Sequence, residues 1–183
     1  MQSFMSRVTR VLIVLAVLFV LTTITLFLMG GRQRQFKNRT TIAAPKEVVF
    51  QYLTDPAKIE KWSARVAQVK PLTEGGHKEG AKSHISVVVS GWRMEIDSEV
   101  IETILNERLI TALTSPQMDA RSDFQLEQSD GFTILNHSFL ISPKGMSRIL
   151  AQFSGQQLQA RLDSGLEQLK QIIEDEYRQS QKH

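Results

Sequence analysis

The sequence predicts an α+β domain that follows a single membrane-spanning helix. Three patterns support this prediction. Residues 11–29 form an unbroken apolar run without charge. Between residues 64 and 141, apolar and polar residues alternate with a period of two, as in strands with one buried face. From Met146 to Tyr177 the period changes to 3.6, which indicates a long helix. Such a helix cannot bury its apolar face alone, so we expect it to lie across the sheet.

The N-terminal apolar run is long enough to cross a membrane. It spans 19 residues, with threonines as its only polar members, and a helix of that length covers close to the roughly 30 Å of a bilayer core. A cleaved signal peptide usually has a shorter apolar stretch and a small-x-small cleavage site. The run instead ends Leu28-Met29-Gly30-Gly31, which offers no such site. We therefore predict an uncleaved, single-pass anchor in residues 1–33 and a separate domain in residues 34–180.

The cations that flank the run indicate its orientation in the cell membrane, but two rules disagree. Arg7 and Arg10 precede the run, whereas four cations follow it: Arg32, Arg34, Lys37 and Arg39. The positive-inside rule therefore favours a cytoplasmic C-terminal domain. A short basic N-terminal tail also tends to remain in the cytoplasm, which would place the domain outside. We expect a cytoplasmic domain on the count of cations, with the opposite side as the alternative.

The charge of the remaining chain excludes several functions. The 19 acidic residues all follow residue 31, and removing the six flanking cations from 22 leaves 16, so residues 40–183 carry about −3. Nucleic-acid binding would require a basic stripe with interleaved aromatic residues, and none is present. Because there is no Cys and the four histidines are scattered, we predict no metal site. No motif for a nucleotide or cofactor occurs, so no cofactor is expected.

The stretch from Thr40 to Trp62 predicts a short strand followed by two short helices. Pro45 suits the first turn of a helix, because its missing N–H is not needed there. Asp55-Pro56 ends this helix and begins another, since Asp accepts free N–H groups at a helix start. Apolar residues share one face of each helix: Val48, Val49, Tyr52 and Leu53 in the first, and Ile59 and Trp62 in the second.

Six further segments have the composition and alternation of strands. They cover residues 64–72, 81–90, 92–105, 109–114, 118–127 and 132–141. Ser129-Asp130-Gly131 predicts a hairpin turn, since Asp-Gly tolerates the positive φ angles of a tight turn. In the third segment, one face holds Trp92, Met94, Ile96, Ser98 and Val100, and the other face is acidic. We expect the acidic face to be solvated, because exposed carboxylates lack the surroundings that separate pKa values for acid–base catalysis.

The last strand and the long helix leave two questions open. Residues 132–141 are apolar on both faces, so the pattern does not decide whether Asn136 or His137 points inward. Gly155 and Gly165 interrupt the helix, and each weakens it by about 1 kcal/mol relative to Ala. We expect these glycines to allow close packing; the alternative is room for a ligand or a bend. The apolar stripe of the helix contains Ile149, Leu150, Phe153, Leu158, Leu162, Leu166, Leu169, Ile173 and Tyr177.

The Thr40–Trp62 stretch also carries a family resemblance. Its pattern Ile42-x-Ala44-Pro45-x-x-Val48, followed by Asp55-Pro56 and closed by Trp62, resembles the opening of the SRPBCC superfamily. That superfamily includes START domains, the birch-pollen allergen type and polyketide cyclase/dehydrase-like proteins. The resemblance covers roughly residues 35–178. It implies a helix-grip fold, in which a curved antiparallel sheet wraps around a long C-terminal helix and leaves a hydrophobic cavity.

The implied cavity leads to a hypothesis of ligand binding. We expect a membrane-anchored module that binds a small hydrophobic molecule, such as a lipid or polyketide-like compound, for transport or sensing. An apolar lining supplies affinity and a few polar groups fix orientation. The predicted lining residues are Trp62, Trp92, Met94, Ile96, Phe124 and Phe153. The expected partners are this ligand and the lipid bilayer, and the sequence indicates no particular protein partner.

The alternative is an enzyme of the cyclase/dehydrase or isomerase kind. It would use His137 as acid or base, with Asn136 or Ser98 as a further polar group. General acid–base catalysis requires such a group within about 3 Å of the reacting atom. A core histidine that is satisfied by hydrogen bonds is the structural alternative. The direction of the His137 side chain therefore bears on the choice between a binding module and an enzyme.

Overall fold

The computed structural model describes residues 2–182 apart from Gly75 and Ser90, and within that range it does not describe the side chains of residues 2–8, 29, 152 and 153. Over these residues the chain forms a sheet, a long C-terminal helix, two short helices and an N-terminal apolar helix. In chain order the elements are α1 (Gln2–Gly30), β1 (Arg34–Ile42), α2 (Lys46–Thr54), α3 (Pro56–Trp62), β2 (Val66–Pro71), β3 (Lys82–Val89), β4 (Trp92–Ile104), β5 (Arg108–Thr114), β6 (Met118–Ser129), β7 (Phe132–Pro143) and α4 (Ser147–Ser180).

The seven strands found among the described residues form one antiparallel sheet in the order β1-β7-β6-β5-β4-β3-β2. Strand β1 pairs with the last strand at one edge, and α2 and α3 carry the chain to the opposite edge. From β2 onward each strand pairs with the next one along the chain. The predicted α+β class, with a curved antiparallel sheet and a long C-terminal helix, is confirmed.

The two short helices form where the sequence predicts them. Asp55 caps α3, because its Oδ1 accepts a hydrogen bond from the Ala57 N–H at 2.9 Å. The Trp62 Nε1–H donates to the Tyr52 carbonyl oxygen at 2.8 Å, which ties the end of α3 to α2. The buried face of α2 consists of Val49, Phe50, Tyr52 and Leu53, while Val48 is half-buried.

Alternation along the strands also gives the predicted faces. In β4, Ile96 and Val100 are buried, whereas Glu95 and Asp97 on the other face are exposed, as expected of a solvated acidic face. The turn between β6 and β7 has φ of 45° at Asp130 and 84° at Gly131. Both angles lie in the left-handed region, so the predicted hairpin turn is confirmed.

Helix α4 is 34 residues long and covers the inner face of the sheet. Leu166, Leu169 and Ile173 are buried in the core with residues of α2 and several strands, and full burial of such a side chain contributes roughly 1.5–3 kcal/mol. The Tyr52 hydroxyl donates to Glu176 at 2.5 Å, which links α2 to the end of α4. The buried part of the predicted stripe does not extend to Leu150, which is 69% exposed. The first turns of α4 lie beside α1.

Helix α1 has the properties that a membrane span requires. Twenty of its residues, Thr9–Leu28, are apolar enough to cross a bilayer, and this stretch is exposed rather than packed inside the protein. Its three central threonines donate hydrogen bonds to carbonyl oxygens four residues earlier, at 2.8–2.9 Å. Polar groups that are satisfied within the helix are compatible with a lipid environment. A signal sequence near the N-terminus can meet the same criteria of length and composition.

The end of α1 contacts the start of α4. The Arg148 guanidinium lies over the Phe27 ring, 5.1 Å from its centroid. The Arg34 guanidinium, at the start of β1, donates to the carbonyl oxygen of Ala151. At Gly155 an added Cβ would approach the Arg34 Nη1 to 3.2 Å, so the predicted packing role is confirmed for this glycine. These contacts place the first turns of α4 next to the end of the apolar helix.

Candidate functional site: a cavity between the sheet and the long helix

A cavity of about 320 Å³ lies between the inner face of the sheet and helices α2, α3 and α4. Most of its lining is apolar: Leu53, Ile59, Trp62, Val66, Ile85, Leu109, Leu113, Phe124, Phe139, Leu158, Leu162 and Leu166. The volume is at the lower end of the roughly 300–1,000 Å³ of small-molecule sites. Alternation places the lining residues of the strands on the concave side of the sheet, and the 3.6-residue period of α4 supplies the opposite wall.

Gly165 leaves space in that opposite wall. It lines the cavity, and a Cβ at this position would meet no atom within 4 Å. The expectation that Gly165 allows close packing is therefore wrong, because no neighbouring group occupies the space that its missing side chain leaves. Gly155, ten residues earlier in the same helix, is the contrasting case, because a Cβ there would lie 3.2 Å from the Arg34 Nη1.

His137 is the titratable group most deeply placed in the cavity wall. On β7 it lies on the same face as Leu135 and Phe139, and it is 6% exposed. Its ring stacks on Phe124, with centroids 4.2 Å apart and an angle of 11° between the planes. Its Nε2 lies 3.0 Å from the Ser122 Oγ. Its Nδ1 is buried and has no hydrogen-bond partner among the described residues.

Burial keeps the His137 ring neutral. Desolvation lowers the pKa of His137 to about 4, and the nearby charge of Asp123 opposes this shift only in part. At about pH 7 the protonated fraction is therefore on the order of one in a thousand. If Ser122 donates to Nε2, Nδ1 carries the proton and is a donor; in the other tautomer Nδ1 is an acceptor. In either tautomer one ring nitrogen is left without a protein partner.

Two arginines also line the cavity. Arg65 precedes β2 and is half-buried, and Arg161 lies on α4 and is exposed. The pKa of Arg65 is lowered, first by burial and then by the positive charge of Arg161. The remaining polar lining residues are small hydroxyl side chains: Ser63, Ser98, Thr111 and Ser122. The site thus combines an apolar body, a neutral histidine and a pair of cations.

The structure brings some of the predicted lining residues together and separates others. Trp62 and Phe124 line the cavity, as predicted. Met94 and Ile96 share the inward face of β4 with Ser98, but of these three only Ser98 lines the cavity. The Phe153 backbone belongs to α4, and its side chain lies outside the described part of the structure.

The prediction that Trp92 lines the cavity is wrong. Trp92 is the first residue of β4, at the tip of the hairpin with β3, and it is 81% exposed. Alternation puts it on the same side of the strand as Ile96. However, it lies at the end of the hairpin, where none of the described residues buries it.

His137 and Asn136 now have defined directions. His137 faces the cavity, whereas Asn136 lines a polar depression of about 450 Å³ on the other side of the sheet. That depression is larger, but Gln35, Lys37 and Arg39 contribute to it, so it is less suited to an apolar ligand. Among the residues that the structure describes, no group of three potential ligands could hold a metal ion.

Sequence reasoning missed Arg65, Arg161 and Ser122. Arg161 is one of several polar residues opposite the apolar stripe of α4, and Arg65 lies in the turn just before β2. Only the fold places them beside the same cavity. The signal for Ser122 was present, because alternation in β6 puts it on the same face as Ala120 and Phe124.

A curved sheet that grips a long helix around an internal cavity defines a helix-grip domain of the SRPBCC superfamily. The chain belongs to the family described as polyketide cyclase/dehydrase and lipid transport, whose model matches residues 33–174. No curated protein matches the sequence. The resemblance to this superfamily seen in the Thr40–Trp62 stretch is therefore confirmed.

Several solved structures share this fold. One is Ara h 8.0201, with a TM-score of 0.60 and 10% identity, covering 78% of this chain and 98% of that one. A START superfamily protein from Mycobacterium smegmatis has a TM-score of 0.61 and 15% identity, and the match covers 79% of this chain and 97% of that one. DynU16, a protein of the dynemicin biosynthetic locus, has a TM-score of 0.56 and 18% identity, and the match covers 76% of this chain and 47% of that one. At these identities the similarity concerns the fold alone.

Proposed function

We propose that this protein binds a small hydrophobic molecule, such as a lipid or polyketide-like compound, in the cavity between the sheet and α4. The observation that carries the proposal is the cavity itself, with its largely apolar wall and few polar groups. Burial of apolar ligand surface there would contribute about 25 cal/mol per Å². His137, Ser122 and Ser98 would orient the ligand through hydrogen bonds rather than supply most of the affinity.

We further propose that α1 is an uncleaved membrane anchor and that the domain begins near residue 34. Only three residues separate the end of α1 from the start of β1, and fully extended they reach about 10 Å. The contacts of Arg148 and Arg34 then hold the start of α4 beside the anchor. From Ala151 to Arg161 the rise along α4 is about 15 Å. The cavity would therefore lie close to the lipid headgroups and could exchange ligand with the bilayer for transport or sensing.

Uptake from vesicles tests this proposal. The full chain in liposomes and a truncated chain beginning near Gln35 are each mixed with vesicles that carry a radiolabelled long-chain alcohol. We expect both proteins to retain the alcohol and the anchored form to load it faster from its own bilayer. Equal loading rates would mean that α1 only localises the protein to the membrane and does not assist ligand exchange. Absence of retained alcohol in both forms would contradict the binding proposal.

A second function, acid–base catalysis, is favoured by one observation: the unpartnered Nδ1 of His137 belongs to a residue that lines the cavity. In the neutral ring this nitrogen could donate a hydrogen bond to a carbonyl oxygen or accept a proton, depending on the tautomer. Asn136 cannot assist, because it faces the other side of the sheet, whereas Ser98 lines the cavity. A cyclase/dehydrase activity would then depend on His137.

Mass spectrometry of a linear poly-β-keto thioester incubated with the protein tests the second function. Cyclisation followed by dehydration removes one water from the substrate. Catalysis predicts that the wild-type protein forms this product and that His137→Gln does not, while both bind decanol, a neutral apolar probe. Absence of product with the wild-type protein would leave binding as the function.

A further inference from the structure

Arg65 and Arg161 are two like charges beside one apolar cavity. Within the described part of the chain, neither guanidinium has a hydrogen bond or an ion pair with a protein group. Arg108 shows the usual arrangement for comparison: its guanidinium contacts Asp123 at 2.8 Å and Glu102 at 3.1 Å. A half-buried guanidinium without a carboxylate partner is costly, because burial removes water and nothing replaces it.

The acidic residue nearest along α4 does not neutralise this pair. Asp163, two residues after Arg161, accepts hydrogen bonds from Asn38 and from Gln159. Arg161 also lowers the pKa of Arg65, which means that each positive charge disfavours the other. An anion beside the two guanidiniums would relieve this repulsion and satisfy their donors. Guanidinium groups bind carboxylate and phosphate through paired hydrogen bonds, so either anion fits their chemistry.

We propose that the cavity selects an anionic amphiphile, with its apolar body between the sheet and α4 and its carboxylate or phosphate at Arg65 and Arg161. This inference rests on the proposed binding function and adds the class of ligand. Arg161 is exposed, so the cavity reaches the surface at α4, where a charged group can keep part of its water. Ser63, two residues before Arg65, also lines the cavity and offers a further donor. The stacked rings of Phe124 and His137 form the apolar wall for the body of the ligand.

Three matched probes separate head-group recognition from apolar binding. Decanoate, decyl phosphate and decanol share one chain and differ in the head. Each is titrated calorimetrically into the full-length protein in phosphatidylcholine nanodiscs, with the titration of empty nanodiscs subtracted. The variants are Arg65→Gln, Arg161→Gln and the double variant. Arg121→Gln is the control, because it removes the same charge from an exposed position that does not line the cavity.

We expect the wild-type protein to bind at least one of the two anions about tenfold more tightly than decanol. Each single substitution should remove about that tenfold preference, while decanol affinity stays unchanged and Arg121→Gln behaves as wild type. Thermal unfolding midpoints should be unchanged or raised, since a repulsion is removed.

The outcomes distinguish this inference from the function on which it rests. If decanol binds and the arginine substitutions do not affect the anions, the assignment of the head-group site is wrong and the binding function stands. If none of the three probes binds to the wild-type protein, the binding function itself fails. If the substitutions alter only adsorption of the protein to vesicles containing anionic lipid, the arginines serve the membrane surface, and the inference is overturned.

Discussion

Replacing Gly165 with Leu should fill part of the cavity from within α4. Gly165 lines the cavity, and an added Cβ would meet no atom within 4 Å, so the new side chain starts in open space and extends into the cavity. Its four carbons would occupy space otherwise taken by ligand. At about 0.8 kcal/mol for each displaced methylene, the loss of binding free energy is about 3 kcal/mol. This corresponds to an increase of about 100-fold in the Kd for decanol.

The same substitution should stabilise the protein without ligand. Leu is a better helix former than Gly by roughly 0.8–1 kcal/mol, and the added side chain covers apolar cavity wall. We therefore expect the free energy of unfolding to rise by about 1 kcal/mol or more while decanol affinity falls. Opposite signs in the two quantities are specific to filling an empty cavity, because overpacking a filled core would lower stability.

Calorimetric titration with decanol and thermal unfolding of the full chain in nanodiscs would measure both changes. Ser164→Leu is the matched control, since it adds the same side chain to the exposed neighbouring position, outside the cavity lining. Ser164→Leu should leave decanol affinity unchanged. A folded Gly165→Leu variant that binds decanol like the wild type would refute the placement of the ligand.

Three further outcomes are expected. Because burial lowers the pKa of His137 to about 4, the unfolded chain takes up a proton that the folded chain excludes as the pH falls below about 6.5. The free energy of unfolding should therefore fall by about 2 kcal/mol from about pH 7 to about pH 5, and denaturant titrations should show this component missing in His137→Gln. Asp55→Ala should cost about 1 kcal/mol in the same assay, because the Ala57 N–H loses its cap; an unchanged midpoint would contradict the role of the cap. Trp62→Ala should weaken decanol binding and Trp92→Ala should not, since only Trp62 lines the cavity; equal effects in calorimetry would argue against the site.

Local patterns were sufficient for most of the fold. The period-two alternation of β4 and β6 separates buried from solvated faces, and the Asp130-Gly131 pair fixes the hairpin turn. The change of period after residue 146 identifies α4. These features depend on neighbours in sequence, which is why they can be predicted without knowing how the elements pack.

The residues of the site could not all be predicted, because local sequence patterns do not show how distant elements pack together. Alternation gives the side of the strand on which Trp92 lies, but not whether a helix covers that end of the sheet, so its exposure could not be predicted. The sequence does not decide whether Gly165 allows close packing or leaves space, because this depends on which residues lie opposite it in the fold. Arg65 and Arg161 are 96 residues apart in sequence, and only the curved sheet and the crossing helix bring both to one cavity.

Contacts between decanol and the cavity rings provide the most direct measurement of the central claim. Isotope-labelled decanol, bound to the full chain in nanodiscs of deuterated lipid, can be followed by nuclear Overhauser effects to aromatic protons. Binding between the sheet and α4 predicts effects from the decyl chain to the rings of Phe124 and His137, which stack in the cavity wall, and none to Trp92. Effects to Trp92 alone, or to no aromatic ring, would contradict the account.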